Sequence, residues 1–79
     1  MIHREALPIT MEQLTEDWRT WIGDKSLHTQ RFGQYVVNKR LTPGWCWPRC
    51  YYADTTSAWT MLFAWINQDK PTYYPIPFP

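Results

Sequence analysis

Three runs with helical spacing of apolar residues, cut by Gly23, by Pro43-Gly44 and by Pro71, dictate what this chain can fold into. In ITMEQLTEDWRTWIGDK, Met11, Leu14, Trp18, Trp21 and Ile22 gather on one stripe at about 100° per residue, while Glu12, Glu16 and Arg19 face away. Thr10 and Gln13 have the spacing of a capping box. The early glutamates suit the positive end of the helix dipole, and Gly23 follows as the stop. This predicts a first helix over 11–22.

The second run, SLHTQRFGQYVVNKRLTPG, starts from Ser26 as N-cap and places His28, Phe32, Tyr35, Val36 and Lys39 on one side, which predicts a helix over 27–40. Lys39 and Arg40 suit its C-terminal end. Gly33 costs about 1 kcal/mol relative to Ala in a helix interior, so its presence argues for a neighbouring backbone packed closely against it. The third run, ADTTSAWTMLFAWINQDKP, takes Asp54 as N-cap and predicts a helix over 55–68. Ala58, Met61, Leu62, Trp65 and Ile66 form its centre, while Trp59 and Phe63 widen the apolar arc past half the circumference.

The expected architecture is therefore all-α: a small three-helix domain over residues 1–70 and an extended Pro-rich tail over 71–79. At 79 residues a core is only just sufficient, and the 14 aromatic side chains, six of them Trp, are the large pieces from which it must be made. What does not fit inside is available for recognition.

Two segments carry that surplus. Between the second and third helices lies TPGWCWPRCYYA, an aromatic loop punctuated by Pro43, Gly44 and Pro48. Its structural reading has Trp47 and Tyr51 plugging the end of the bundle. Its functional reading has Trp45 and Tyr52 presented as anchors, since Trp and Tyr are enriched among binding hot spots. The second segment is the ending PTYYPIPFP, residues 71–79. Burying Tyr73, Tyr74, Ile76 and Phe78 contributes about 6 to 12 kcal/mol, against roughly 9 to 18 kcal/mol for ordering nine residues. Four prolines offset part of that difference by restricting the unfolded chain. The tail is thus expected to dock, either across Trp59 and Phe63 of its own domain or in a groove of another chain, a second copy in a homo-oligomer included.

Charge is unevenly spread. Residues 1–25 sum to −2, residues 26–50 to +4 with no acidic residue, and residues 51–79 to −1. Arg31, Lys39, Arg40 and Arg49 are interleaved with Phe32, Tyr35, Trp45, Trp47 and Tyr51, a mixture that can neutralise phosphates and stack on bases. The excess is modest for a nucleic-acid binder, so a small nucleic-acid-binding regulator is the alternative reading.

The residue types argue against catalysis. His3 and His28 stand in no recognisable spacing with a carboxylate or hydroxyl nucleophile, and no Gly-rich phosphate cradle is present. Cys46 and Cys50 could join the two histidines in a zinc set, but the histidines lie far upstream and Pro48 stiffens the loop between the cysteines. No metal and no cofactor is expected, and both cysteines are read as reduced. Neither a secretory signal nor an apolar run of about 18 residues occurs, so the expectation is a cytoplasmic protein with no membrane contact.

RFGQYVVNK, followed by WPRCYYADTTSAWTML, resembles small accessory proteins of tailed bacteriophages over about residues 31–62. Where those proteins carry PELFYE, this chain has Pro48-Arg49-Cys50-Tyr51-Tyr52-Ala53 and lacks the two acidic residues. The resemblance implies a phage-encoded protein acting in the host cytoplasm, of a kind that binds a host or defence protein and blocks it. The expected function is accordingly a non-enzymatic protein-binding module, an inhibitor or adaptor, using Trp45, Trp47, Tyr52, Trp59, Phe63, Tyr73, Tyr74, Ile76 and Phe78.

Overall fold

The computed structural model of the chain describes residues 8–67 and 75–77. Its elements, in order, are helix α1 (Met11–Gly23), a 3-10 turn (Lys25–Thr29), helix α2 (Phe32–Val36) running on into a π turn (Val37–Leu41), strand β1 (Trp45–Cys46), a one-turn helix α3 (Pro48–Tyr51), helix α4 (Thr55–Ile66) and strand β2 (Ile76–Pro77). The fold is mostly helical.

The start of α1 follows from its cap. Gln13 N–H donates to Thr10 Oγ1 at 3.1 Å and Thr10 N–H to Gln13 Oε1 at 3.0 Å, which satisfies two of the amides that a helix N-terminus leaves without partners. Leu14 is fully buried on the inner face, with Met11, Trp18 and Trp21 packed against the core. Ile22, expected on that stripe, is 49% exposed, because the helix ends one residue later and the chain turns away.

The single helix expected over 27–40 is divided. Asp24, not Ser26, caps the 3-10 turn, accepting from the Ser26 N–H at 3.0 Å and the Ser26 hydroxyl at 2.6 Å. Gln30 and Arg31 are extended, and Gln34 Oε1 accepts from the Arg31 N–H at 3.1 Å to start α2 afresh. Two contacts fold the turn back on α1: Trp21 Nε1 donates to the Gln30 carbonyl at 3.3 Å, and His28 Nε2 lies 2.7 Å from the Trp21 carbonyl. Local helical periodicity thus yields to ties made across nine and seven residues.

Gly33 has the role its position predicts. A Cβ there would overlap the Cys50 carbonyl oxygen and come within 2.9 Å of the Ala58 Cβ. The absent side chain lets α2 lie directly on α3 and α4. Around that crossing Phe32, Val36, Val37, Leu41, Trp47, Cys50, Ala58, Leu62 and Trp65 close the core, with Ile9 and Leu14 from the N-terminal side. In α4, Asp54 caps by accepting from the Ser57 N–H at 2.8 Å, and Ala58, Leu62 and Trp65 recur at the spacing of one helix face. The helix ends at Ile66, two residues short of the expected boundary, where Asn67 Nδ2 donates to the Phe63 carbonyl at 2.8 Å.

The loop before α4 contains an element that the sequence reading omits. Pro48 at the first helical position, where its missing N–H costs nothing, starts α3. The described part of the tail also departs from expectation. Ile76–Pro77 pairs antiparallel with Trp45–Cys46, with Pro77 opposite Trp45 and Ile76 opposite Cys46. Its berth is the aromatic loop rather than the surface of Trp59 and Phe63, and Pro75 beside it is buried. Among the described residues no helix is long and apolar enough to cross a membrane.

Candidate functional site

The aromatic loop is where structure and exposed surplus coincide. Trp47 is only 2% exposed and packs edge-on against Trp65 at 5.4 Å between ring centroids, while Trp45 meets the same ring at 5.2 Å. Trp47 is therefore core, which removes it from the anchors expected to face a partner. Trp45 is half-buried. With these rings inside, Tyr52, the residue that caps the end of α3, is 68% exposed, the most exposed large apolar side chain described.

Tyr52 is held rather than loose. Its ring packs edge-to-face on Tyr51 at 5.0 Å, and Arg31 Nη1 donates to its carbonyl oxygen at 2.8 Å across 21 residues. It stands between two hollows. One, of about 230 Å³, is walled almost wholly by apolar groups: Val37, Thr42, Trp45, Cys46, Trp47, Pro48, Tyr51 and Tyr52 itself. The other, of about 490 Å³, is more polar though still mainly apolar, and is lined by Pro48, Arg49, Tyr52, Ala53, Asp54, Ser57 and Met61. Hydrogen bonds from Ser57, with the charge of Arg31 adding to them, hold the Asp54 carboxyl below the usual carboxylate range. Asp54 thus keeps its negative charge at neutral pH, on the same hollow as the positive charge of Arg49.

A second exposed group lies on α4. Phe63 is 43% exposed and tilts against half-buried Trp59 at 5.5 Å. The composition suggests a larger oily surplus than this: among the described residues only Ile22, Tyr52 and Phe63 are large hydrophobic side chains classed as exposed. Tyr73, Tyr74 and Phe78 lie outside the described residues. Ile76 falls in β2, paired with Cys46.

The four cations of the nucleic-acid reading are not brought together as a free face. Lys39 Nζ donates to Asp17 Oδ1 at 2.9 Å, Arg40 Nε to Asp17 Oδ2 at 2.9 Å and Arg40 Nη2 to Asp17 Oδ1 at 2.8 Å. Asp17 is completely buried. Burial pushes its carboxyl up, but the hydrogen bonds and charges of Arg40 and Lys39 together outweigh this and leave it below its ordinary value. The same contacts, led by the hydrogen bond to Asp17, raise Lys39 and Arg40. Glu16 adds an outer contact to Arg40 at 3.4 Å, so the neighbouring carboxylates converge on one guanidinium although they leave the helix in different directions. Arg31 is committed to the Tyr52 carbonyl, and Arg49 lines the polar hollow. Two of the four cations, Lys39 and Arg40, thus hold the π turn that follows α2 on α1.

Asp17 is the residue that sequence reading missed. It lies three positions after Leu14 on the apolar stripe, and a carboxylate at such a position is itself the signal of a buried ion pair. The cysteines are both free. Desolvation pushes the buried Cys50 thiol up to about 12, which makes it a poor nucleophile and metal ligand. His28 is stacked on Trp21 at 4.2 Å. No group of three or more His, Cys, Asp or Glu placed to hold a metal occurs among the described residues. Comparison of the chain with protein-family models, with curated proteins and with solved structures gave no match.

Proposed function

We propose that this chain is a non-enzymatic protein-binding module, an inhibitor or adaptor, whose contact face is centred on Tyr52. The observation that carries the reading is the exposed phenol ring, packed on Tyr51, with its backbone held by Arg31, and flanked by an apolar hollow and a more mixed one. An aromatic anchor with fixed geometry loses little conformational freedom on binding, and the hollow offers a partner's apolar side chain a place to leave water. Trp45 belongs to this face as a wall of the hollow. Phe63 with Trp59 is a separate pair on the flank of α4 away from Ser57 and Met61, which line the hollow beside Tyr52. On the resemblance of residues 31–62 to phage accessory proteins, the partner is a host or defence protein.

The test is affinity capture from bacterial lysate with the full chain and with Tyr52→Ala. The reading expects a stoichiometric protein partner that stays bound at high salt and whose affinity falls at least about thirtyfold with the variant, in line with hot-spot losses of about 2 kcal/mol or more. Recovery of no partner, or equal recovery by both chains, overturns it. The nucleic-acid alternative loses support from the engagement of Lys39 and Arg40 with Asp17.

A further inference from the structure

The strand pairing shows what kind of segment the contact face accepts. β1 is two residues long and already holds one extended segment, Ile76–Pro77, in antiparallel register. Trp45 and Cys46, which make that pairing, are also walls of the apolar hollow. Backbone pairing and side-chain insertion are therefore available to one continuous ligand, which is the logic of strand addition to a sheet edge.

We infer that the edge of β1 and the hollow beside it form a binding site for an extended apolar segment of a partner protein that carries an aliphatic-Pro pair, and that the chain's own strap at Pro75–Pro77 is a built-in competitor for it. The inference rests on the protein-binding reading and names the partner's chemistry. The occupant is argued from the strap itself: an Ile-Pro pair is the segment seated on this edge, and Pro75 beside it is buried. The described core residues that join α1, α2 and α4 lie between Ile9 and Trp65. Undocking exchanges one ligand for another without unfolding the helices. Affinity for a segment in trans is scaled by the fraction of molecules whose edge is open, so a strap docked nine-tenths of the time weakens binding about tenfold.

The test uses the full chain and a fluorescent nonapeptide with the sequence of residues 71–79, read by anisotropy. Pro75→Asp places a charge at a buried position and expels the strap. The peptide is expected to bind this variant at least about tenfold more tightly than the unmodified chain, and a scrambled peptide to bind neither. Ile76→Cys supplies a second measurement that does not depend on tolerance of the charge. Position 76 is the backbone partner of Cys46, so a mild thiol oxidant should bridge the two cysteines and lock the strap in place, abolishing peptide binding until a reductant restores it. Equal affinity for the Pro75→Asp and unmodified chains, binding of the scrambled peptide, or undiminished binding by the locked chain overturns the inference. So does a dimer of the unmodified chain by sedimentation that Pro75→Asp abolishes, which assigns the edge to a second copy. Loss of the peptide effect with Tyr52-dependent partner capture intact refutes this inference alone.

Discussion

Replacing Asp17 by Asn keeps the shape of a fully buried side chain and removes its charge. The carboxylate accepts from Lys39 and Arg40 on Oδ1 and from Arg40 on Oδ2. An amide can present only one acceptor oxygen, so its NH2 group must face a donor. Removing one member of a buried pair typically costs roughly 3–5 kcal/mol. Here Lys39 is 40% exposed and can turn to water, whereas Arg40 is only 16% exposed and cannot do so fully. The expected loss is thus nearer about 2 to 3 kcal/mol, a large part of the total stability of such a domain. At about 4–8 °C per kcal/mol for this size, the melting midpoint should fall by roughly 8–24 °C. Urea denaturation followed by far-UV circular dichroism measures the change, and Arg40→Ala should cost more than Lys39→Ala. The Asp17 carboxyl is depressed in the folded state, so its contribution is present above the unfolded value of about 3.9 and is lost as pH falls through the lower folded value. Asp17→Asn should flatten the stability profile in that acid range. A loss below about 0.5 kcal/mol, or an unchanged acid limb, refutes the reasoning.

Three further outcomes follow from the packing. Gly33→Ala should destabilise the chain by about 1–3 kcal/mol or more despite its better helix propensity, because the added methyl overlaps the Cys50 carbonyl. Gly23→Ala, whose added methyl would meet nothing within 4 Å, should lie within about 0.5 kcal/mol of the parent; the two variants side by side in urea check the contrast. Native protein at pH 8 should titrate one thiol promptly with a thiol reagent, Cys46, and the second only after denaturant is added, since Cys50 is buried and its thiol lies near 12. Tyr52→Ala should shift stability by no more than about 0.5 kcal/mol, so that any loss of partner binding belongs to the contact and not to the fold.

The features legible in the sequence are those fixed within one or two helical turns. The Thr10–Gln13 capping box, the Asp54 cap and the Leu14, Ala58, Leu62 and Trp65 positions depend on spacing alone. Gly33 is legible for a different reason: its cost in a helix demands a close neighbour, which Cys50 and Ala58 supply. The rest depends on partners distant in sequence. Asp17 looks like one more acidic residue of α1 until Lys39 and Arg40 close on it from 22 and 23 residues away. The break before α2 depends on Trp21 reaching Gln30, and the berth of Ile76–Pro77 on a pairing with Trp45–Cys46 far upstream in the chain. In the candidate face, Tyr52 could be named from composition, but the removal of Trp47 into the core required Trp65 to be placed against it.

The claim that an apolar, aromatic face recruits a protein is tested most directly by the salt dependence of affinity for whatever the full chain captures. Between about 50 mM and 1 M salt the affinity should change less than about threefold, because burial of Tyr52 and filling of the hollow release few counterions. A nucleic-acid partner whose affinity falls with a log–log slope of about −0.9 for each phosphate neutralised would contradict the account.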